Sequence, residues 1–575
     1  MIKIFCLIFI FLVSNFSFSV PPHPNLLFKK NTNGKMSINS NYKKFKDPDM
    51  QRLNFIPQKN GKEEVLVILV EFQDKLHLRN VSLFNKHIFS KDSLIPSVYN
   101  YFYEISNGKM EILPGILNGA INWVKLPKNI SEYNDESNEK ITNLVVDSLN
   151  AINSQVDFSQ YDKNNDGVVD HVFIIHSGND EARTGNSNDI WSVCISTSAL
   201  FGFGRYDNKK IVSAVICAED PDFKINNEDA LSIGTFCHEF CHDLGAPDLY
   251  DYDDPDFFPT GWWCLMSLGA YLGQSQFPAH LSGYLKMDLD ADPTSHNTTP
   301  LDLPYTTITT NGTYSINATG LNTNNRLYKI IIPNTNNKEY FLIENRTKNW
   351  GGKYDATLPD SGLIISHVDE TMPIDGGNNG LPKNPYYRIW IEDSYNYNHD
   401  PNFNTANNNY SFPYADFAAF SNPNPAPPNS VRNPEISFNA TTIPNTHSNK
   451  GNISNISIYN LITSGNTMTF SVKINTANSI FSNTTMSINK SYPNPFNPEC
   501  YIPLEIANNK SQNVKIKIYN ILGQVVREVI TNNTNNSVYW DGRDNLGKEV
   551  SSGMYFYETI VNNKSLNCKK MLMLK

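Results

Sequence analysis

Charge is scarce in this chain. Of 575 residues only 18% are Asp, Glu, Lys or Arg, and the acids outnumber the bases to leave a formal net charge of −10. Without a surplus of Lys and Arg there is no basic face for a phosphate backbone, so a nucleic-acid partner is excluded. Cysteine is scarce too. There are eight, and Cys6 falls in the N-terminal apolar run, leaving Cys194, Cys217, Cys237, Cys241, Cys264, Cys500 and Cys568. So few, and an odd number, make no disulfide framework. Cys500 and Cys568 both lie near the C-terminal end and could pair, which spacing alone does not decide. After the N-terminal run, no apolar stretch approaches the roughly 20 residues of a membrane-spanning helix, so no transmembrane segment is expected. Coiled-coil heptads, tandem arrays and blocks of like charge are absent.

What is present is a hydrophobic fraction of 40%, enough for buried cores. At roughly 100–200 residues per domain the length suits three or four domains. Asn, Ser, Thr and Tyr take the place of charge, which favours turns and strands over long helices. Lys3, an apolar run over residues 4–13, and small Ser17 and Ser19 read as a signal peptide over 1–19, cleaved after Ser19. Export follows, to the medium or the cell surface. Residues 20–60 are polar and irregular and read as a propeptide or a linker. VLVILV at 65–70 and VFIIH at 172–176 read as buried strands. With Tyr99, Phe102 and Tyr103 at helical spacing, they predict an α/β domain over 61–295. From 300 to 475, short alternating segments between Asn, Gly and Pro turns predict a β-sandwich, with the Pro-rich stretch 421–430 as a loop. A polar linker leads to a second small sandwich over 486–575.

The chemistry concentrates in NNEDALSIGTFCHEFCHDLGAPDLYD, residues 226–251. Asn226 or Asn227 is placed to cap a helix, with Glu228 and Asp229 in its positively polarised first turn. The helix is predicted to run to about Leu244 and to stop at Gly245, with Pro247 beyond. His238 and His242, four apart, project from one face and can share a tetrahedral metal. Glu239 sits beside the first ligand, where it can hold a water rather than the metal. Gly245 permits a sharp turn that returns Asp248 as a third ligand. Three protein ligands plus water make a catalytic zinc site, whereas a structural site closes with four. From the composition, HExxH is expected by chance about 0.02 times in this chain, and the added Gly and acid make chance remoter still. Cys237 and Cys241 repeat the spacing but lie about 100° round the helix from the histidines. They are read as small buried residues.

HEFCHDLGAPDLYD, followed by GWWCLM at 261–266, resembles the immune inhibitor A family of secreted zinc metallopeptidases, in the metzincin group. VLVILVEFQD, YFYEISNGKMEI, DIWS, EYFLIENR and GLIISHVDE extend the likeness over most of residues 60–475. The resemblance implies a metzincin-like zincin domain that hydrolyses peptide bonds. It implies zinc held by His238, His242 and Asp248, Glu239 as general base, and Met266 as the Met-turn residue flooring the metal. Asp251 is the fallback third ligand. A Tyr two positions after the Met, found in some metzincins, is replaced by Leu268, which leaves Tyr271 as a candidate to steady an oxyanion. His176 resembles a family position but, like His280, is read as structural; His23 falls in the 20–60 segment. With no Cys between residues 20 and 193, latency through a thiol is excluded, which leaves Asp47 and Asp49 as acidic alternatives.

DKNNDGVVD sets oxygen side chains at Asp162, Asn164, Asp166 and Asp170, adds the Val168 carbonyl, and turns at Gly167. That pattern suits a structural Ca²⁺, although the twelfth position is Phe173 rather than a bidentate Glu. An ordinary Asn/Asp/Gly turn is the other reading. The segments from SYPNPFNPEC to KKMLMLK, about 488–575, resemble the Ig-like C-terminal sorting domains of the bacterial type nine secretion pathway. The resemblance implies passage through outer-membrane secretion machinery. The leading expectation is an exported zinc endopeptidase acting on protein or peptide substrates. The alternative is a surface adhesion or carbohydrate-binding protein on an inactive zincin scaffold, which a missing His or Glu would have favoured.

Overall fold

The computed structural model describes residues 16–19, 28–30, 36–38, 61–134, 138–197, 202–220, 230–250, 258–288, 301, 303–348, 350–359, 361–372, 388–392, 437–438, 448, 454–464, 466–474, 486–488, 491–506, 514–521, 523–531, 537–561 and 564–574. The apolar run at 65–70 is the centre of β1 (Lys62–Glu71). Its side chains alternate between two buried faces. Val65, Val67 and Leu69 share one core with α1 (Val81–Phe89) and α2 (Val98–Ile105). Leu66, Ile68 and Val70 share another with α3 (Asn138–Ile152). Burial on both faces explains why the run is continuous rather than alternating.

Strands β2 (Glu111–Leu113), β3 (Ile121–Lys125) and β4 (His171–Asn179) pair parallel to β1. Next come β5 (Val193–Ser196) and β6 (Ser213–Asp220): β6 is parallel to β4, and β5 is antiparallel to β6. The strand Phe16–Ser19, at the end of the expected export signal, lies antiparallel to β5 at the sheet edge. The result is a mixed sheet with helices on both faces, an α/β layer.

Further along, β8 (Leu327–Ile331), β9 (Glu339–Arg346), β10 (Gly362–Asp369) and β11 (Ile389–Ile391) form one sheet with the short strand Thr306–Thr307. A second sheet holds β7 (Gly312–Asn317), β12 (Ser437–Phe438), β13 (Ile456–Ser464) and β14 (Thr467–Ile474). Ile330, Phe341, Ile343 and Ile365 of the first meet Ile316, Ile458, Phe470 and Val472 of the second in a single core. The other face of the first sheet is buried as well. Tyr340, Leu342 and Val368 join the core that contains Val65 and Phe240. Residues 1–474 therefore form one compact unit, although the sequence divides it into two regions of different character. The Pro-rich stretch 421–430 lies outside the described residues.

Residues 475–575 form the second unit. One sheet holds β15 (Met486–Ile488), β16 (Cys500–Ile506) and β19 (Ser537–Trp540); the other holds β17 (Val514–Tyr519), β18 (Val525–Thr531), β20 (Gly553–Val561) and β21 (Lys564–Met573). Ile502, Ile516, Trp540, Tyr557 and Met571 fill the core between them. Cys500 is a buried free thiol whose Sγ lies 3.9 Å from Met571 Sδ. The side chain of Cys568 lies outside the described residues. Among the described residues no helix is long and apolar enough to cross a membrane.

Candidate metal centre

Helix α4 (Gly234–Asp243) carries the HExxH motif. It is shorter than the sequence predicts. Ile233 occupies the N-cap position and residues 230–233 are not helical, while Asn226, Asn227, Glu228 and Asp229 lie outside the described residues. A tertiary contact starts the helix instead: the amides of Ile233 and Gly234 both donate to the Ser275 carbonyl at 2.8 Å. A Cβ on Gly234 would stand 2.0 Å from the Ala270 carbonyl oxygen, so only glycine lets the helix press this close. The helix ends as expected. Gly245 has φ +93°, and the Ala246 amide donates to the Cys241 carbonyl at 2.8 Å.

His238 Nδ1 lies 2.9 Å from the Leu265 carbonyl and His242 Nδ1 lies 2.7 Å from the Ala246 carbonyl. A proton on each Nδ1 is donated to a carbonyl, which makes each Nε2 the lone-pair atom. The two Nε2 atoms are 3.1 Å apart, and Asp248 Oδ1 lies 3.0 and 3.4 Å from those of His238 and His242. A tetrahedral ion with bonds of 2.0–2.1 Å holds its ligand atoms roughly 3.3 Å apart. The three separations fit that ion. All three side chains are buried. Burial lowers the pKa of His242 and favours the neutral imidazole that a metal requires. Asp248 is fully buried, and its ionised carboxylate is the form that a bound cation would require.

The segment after the third ligand braces the site. The Leu265 carbonyl takes His238 Nδ1, and the Met266 carbonyl accepts from the Leu249 amide at 2.8 Å. Met266 itself is fully buried in the core that also holds Phe240. Glu239 is buried on the same turn as His238. Tyr271 ends a short 3-10 turn and packs with Tyr250, Phe258 and Leu268. Asp251 lies outside the described residues. Cys237 and Cys241 are fully buried in the core, as expected.

The residue after the second histidine anchors the helix. Asp243 Oδ2 lies 2.6 Å from His171 Nδ1, His171 Nε2 lies 3.2 Å from Glu63 Oε2, and Ser213 Oγ donates to Asp243 Oδ1. All four residues are buried. Burial would lower the pKa of His171, but Asp243 and Glu63 raise it to about 10, so the ring is an imidazolium. Sequence reasoning missed this group, whose members come from β1, β4, β6 and α4. His176 is also buried, with Nδ1 2.9 Å from the Ser177 carbonyl and a pKa pushed down by burial to about 4. His280 is buried between Glu104 and Lys286. Neither belongs to the three-ligand group.

The Asp162–Asp170 loop does not assemble a comparable group. Asp162 Oδ2 accepts from Lys209 Nζ at 2.6 Å and from the Gly167 amide at 3.0 Å, and its Oδ1 accepts from the Asp166 amide at 3.0 Å. Asp170 Oδ2 accepts from the Lys163 amide at 2.8 Å, and Asn164 and Asp166 close local turns through the Asp166 and Val168 amides. These are self-capping turns with a lysine amine on the buried carboxylate. Among the described residues, only His238, His242 and Asp248 bring three His, Cys, Asp or Glu ligand atoms within 4.8 Å of one another. The calcium expectation is not supported.

Residues 83–291 match the family model for the immune inhibitor A peptidase M6 catalytic domain, and residues 490–574 match the secretion system C-terminal sorting domain. Immune inhibitor A of Bacillus thuringiensis subsp. alesti is 28% identical over 268 residues, covering 37% of this chain and 37% of that protein. Pre-pro-metalloprotease PrtV of Vibrio cholerae serotype O1 (strain M66-2) is 27% identical over 204 residues, covering 30% of this chain and 21% of that protein. The chain thus spans little more than a third of the first relative and about a fifth of the second. Among solved structures, OgpA from Akkermansia muciniphila aligns over 90% of this chain and 94% of its own at 9% identity, with a TM-score of 0.23. At that score it does not define the fold. On the two matching segments, the chain carries a peptidase M6 domain of the immune inhibitor A kind and a secretion-system C-terminal sorting domain.

Proposed function

We propose that this chain is an exported zinc endopeptidase that hydrolyses peptide bonds of proteins outside the cell. The observation that carries the reading is the convergence of His238 Nε2, His242 Nε2 and Asp248 Oδ1 around one metal-sized gap, beside Glu239. Zinc held by these three supplies Lewis acidity, polarising a carbonyl and lowering the pKa of a water to about 7. Glu239 takes a proton from the attacking water and delivers it to the amine nitrogen as the C–N bond breaks. The Leu265 and Ala246 carbonyls hold the histidines in the required tautomer, and Asp248 contributes a negative charge that offsets part of the cation's. Met266 floors the site within a metzincin-like arrangement. In this reading residues 1–19 direct export, 20–60 are a propeptide or linker, 61–295 catalyse, 300–475 form an accessory β-sandwich, and 486–575 are an Ig-like domain that engages the outer-membrane secretion machinery. Calcium is left out of the reading.

The test is Glu239→Ala in the secreted protein. It is expected to retain zinc and to lose cleavage of casein by about 10²–10⁴-fold, the usual worth of a general base. Undiminished cleavage removes Glu239 from this role. Wild-type protein that binds zinc yet cleaves nothing turns the reading to a binding protein on an inactive scaffold.

A further inference from the structure

Arg346 is the last residue of β9, and alternation along that strand decides where it lies. Phe341 and Ile343 sit inside the sandwich core, whereas Tyr340 and Leu342 join the core around α4. Arg346 is in register with the second set and is 1% exposed. Its guanidinium makes a two-pronged pair with Asp355: Nε donates to Oδ2 at 2.7 Å and Nη2 to Oδ1 at 2.6 Å. Nη1 donates to the Trp263 carbonyl at 2.8 Å. Asp355 Oδ1 also accepts from the His280 amide at 2.8 Å. The His280 carbonyl lies 3.5 Å from Arg346 Nη2 and accepts from the Leu265 amide at 3.3 Å. Leu265 is the residue whose carbonyl takes His238 Nδ1. A continuous set of hydrogen bonds therefore runs from the guanidinium, through two backbone segments, to a metal-ligand histidine.

We propose that the Arg346–Asp355 pair positions His238 at the metal, so that the metal centre within residues 83–291 is completed by side chains of the adjoining β-sandwich. The proposal rests on the zinc reading above. A buried ion pair is seldom more stabilising than a well-packed apolar replacement, so stability alone is a weak reason for one here. Geometry is a better one. A planar guanidinium with five fixed donors can hold a carboxylate and two carbonyls in one arrangement, which a lysine amine cannot. Burial favours the neutral acid, yet Arg346 holds Asp355 at about 2, so the pair stays charged through the neutral range. Groups that orient a ligand histidine through its second nitrogen commonly change metal affinity 10–100-fold when removed. Arg346 acts through two intervening residues, His280 and Leu265, so the lower end applies.

The test uses the full-length chain. Zinc affinity is measured by chelator competition, and the absorption spectrum of the cobalt-substituted protein reports ligand geometry. Arg346→Lys, folded by circular dichroism at the assay temperature, is expected to bind zinc about 10-fold more weakly and to shift the cobalt bands. Lys338→Ala, which breaks an exposed pair with Glu370 in the same sandwich, is expected to change neither. If Arg346→Lys melts earlier but keeps wild-type zinc affinity and an unchanged cobalt spectrum, the pair is only a fastener between layers and the proposal is overturned. Should Arg346→Lys fail to fold, Asp355→Asn is read the same way, since it keeps the shape and drops the charge. Wild-type protein that takes up no zinc overturns the metal reading instead.

Discussion

Replacing His171 with Leu removes a cation from between two carboxylates that folding has withdrawn from water. The ring is completely buried, 2.6 Å from Asp243 and 3.2 Å from Glu63. Its pKa is raised from 6.5 to about 10 in the folded chain. A folded value above the unfolded one means that the stabilisation is fully present below pH 6.5 and is lost as pH rises through 10. A rise of that size corresponds to roughly 5 kcal/mol. Breaking a buried pair by removing one partner costs about 3–5 kcal/mol, the same order. His171→Leu is therefore expected to lower the unfolding free energy by about 3–5 kcal/mol at pH 6. Denaturant titration followed by intrinsic fluorescence measures it. The gap should narrow as the buffer is taken up to pH 10, because the wild type then loses what the variant never had. A loss under about 0.5 kcal/mol, the range of an ordinary surface substitution, would refute the imidazolium. So would a gap that stays constant to pH 10.

Gly234→Ala forces a methyl to within 2.0 Å of the Ala270 carbonyl oxygen. A loss of about 1–3 kcal/mol by denaturant titration is expected, with weaker zinc retention because the start of α4 must move; an unchanged midpoint would contradict the close approach. Calcium at millimolar concentration is expected to leave the melting temperature of the zinc-loaded protein unchanged, since Lys209 already occupies Asp162. A clear rise in that temperature, abolished by Asp170→Asn, would restore the loop as a cation site.

The site was legible in the sequence where its geometry is local. His238, His242, Gly245 and Asp248 fall within one helix and the turn after it, so 3.6-residue periodicity and a left-handed glycine largely dictate how they meet. The buried strand at 65–70 was legible because an apolar run of that length has few other uses. What was not legible depends on distant partners. The start of α4 is set by the carbonyl of Ser275 rather than by Asn226 or Asn227. His171 finds Asp243 across 72 residues and Glu63 across 108. Arg346 reaches Trp263 across 83 residues. No spacing rule connects such positions, because the sheet, not the local chain, brings them together. The Asp162–Asp170 loop reads two ways for a related reason. Asn, Asp and Gly at alternate positions serve a self-capped turn as well as a cation cage, and a lysine 47 residues away occupies the carboxylate.

The claim that His238, His242 and Asp248 together hold a catalytic zinc is tested most directly by metal content. Wild-type protein and Asp248→Ala would be purified side by side, dialysed against trace zinc, and assayed by inductively coupled plasma mass spectrometry with folding checked by circular dichroism. About one zinc per chain is expected in the wild type and close to none in the folded variant, since two histidines alone leave the tetrahedral set incomplete. A full complement of zinc in Asp248→Ala would contradict the ligand set.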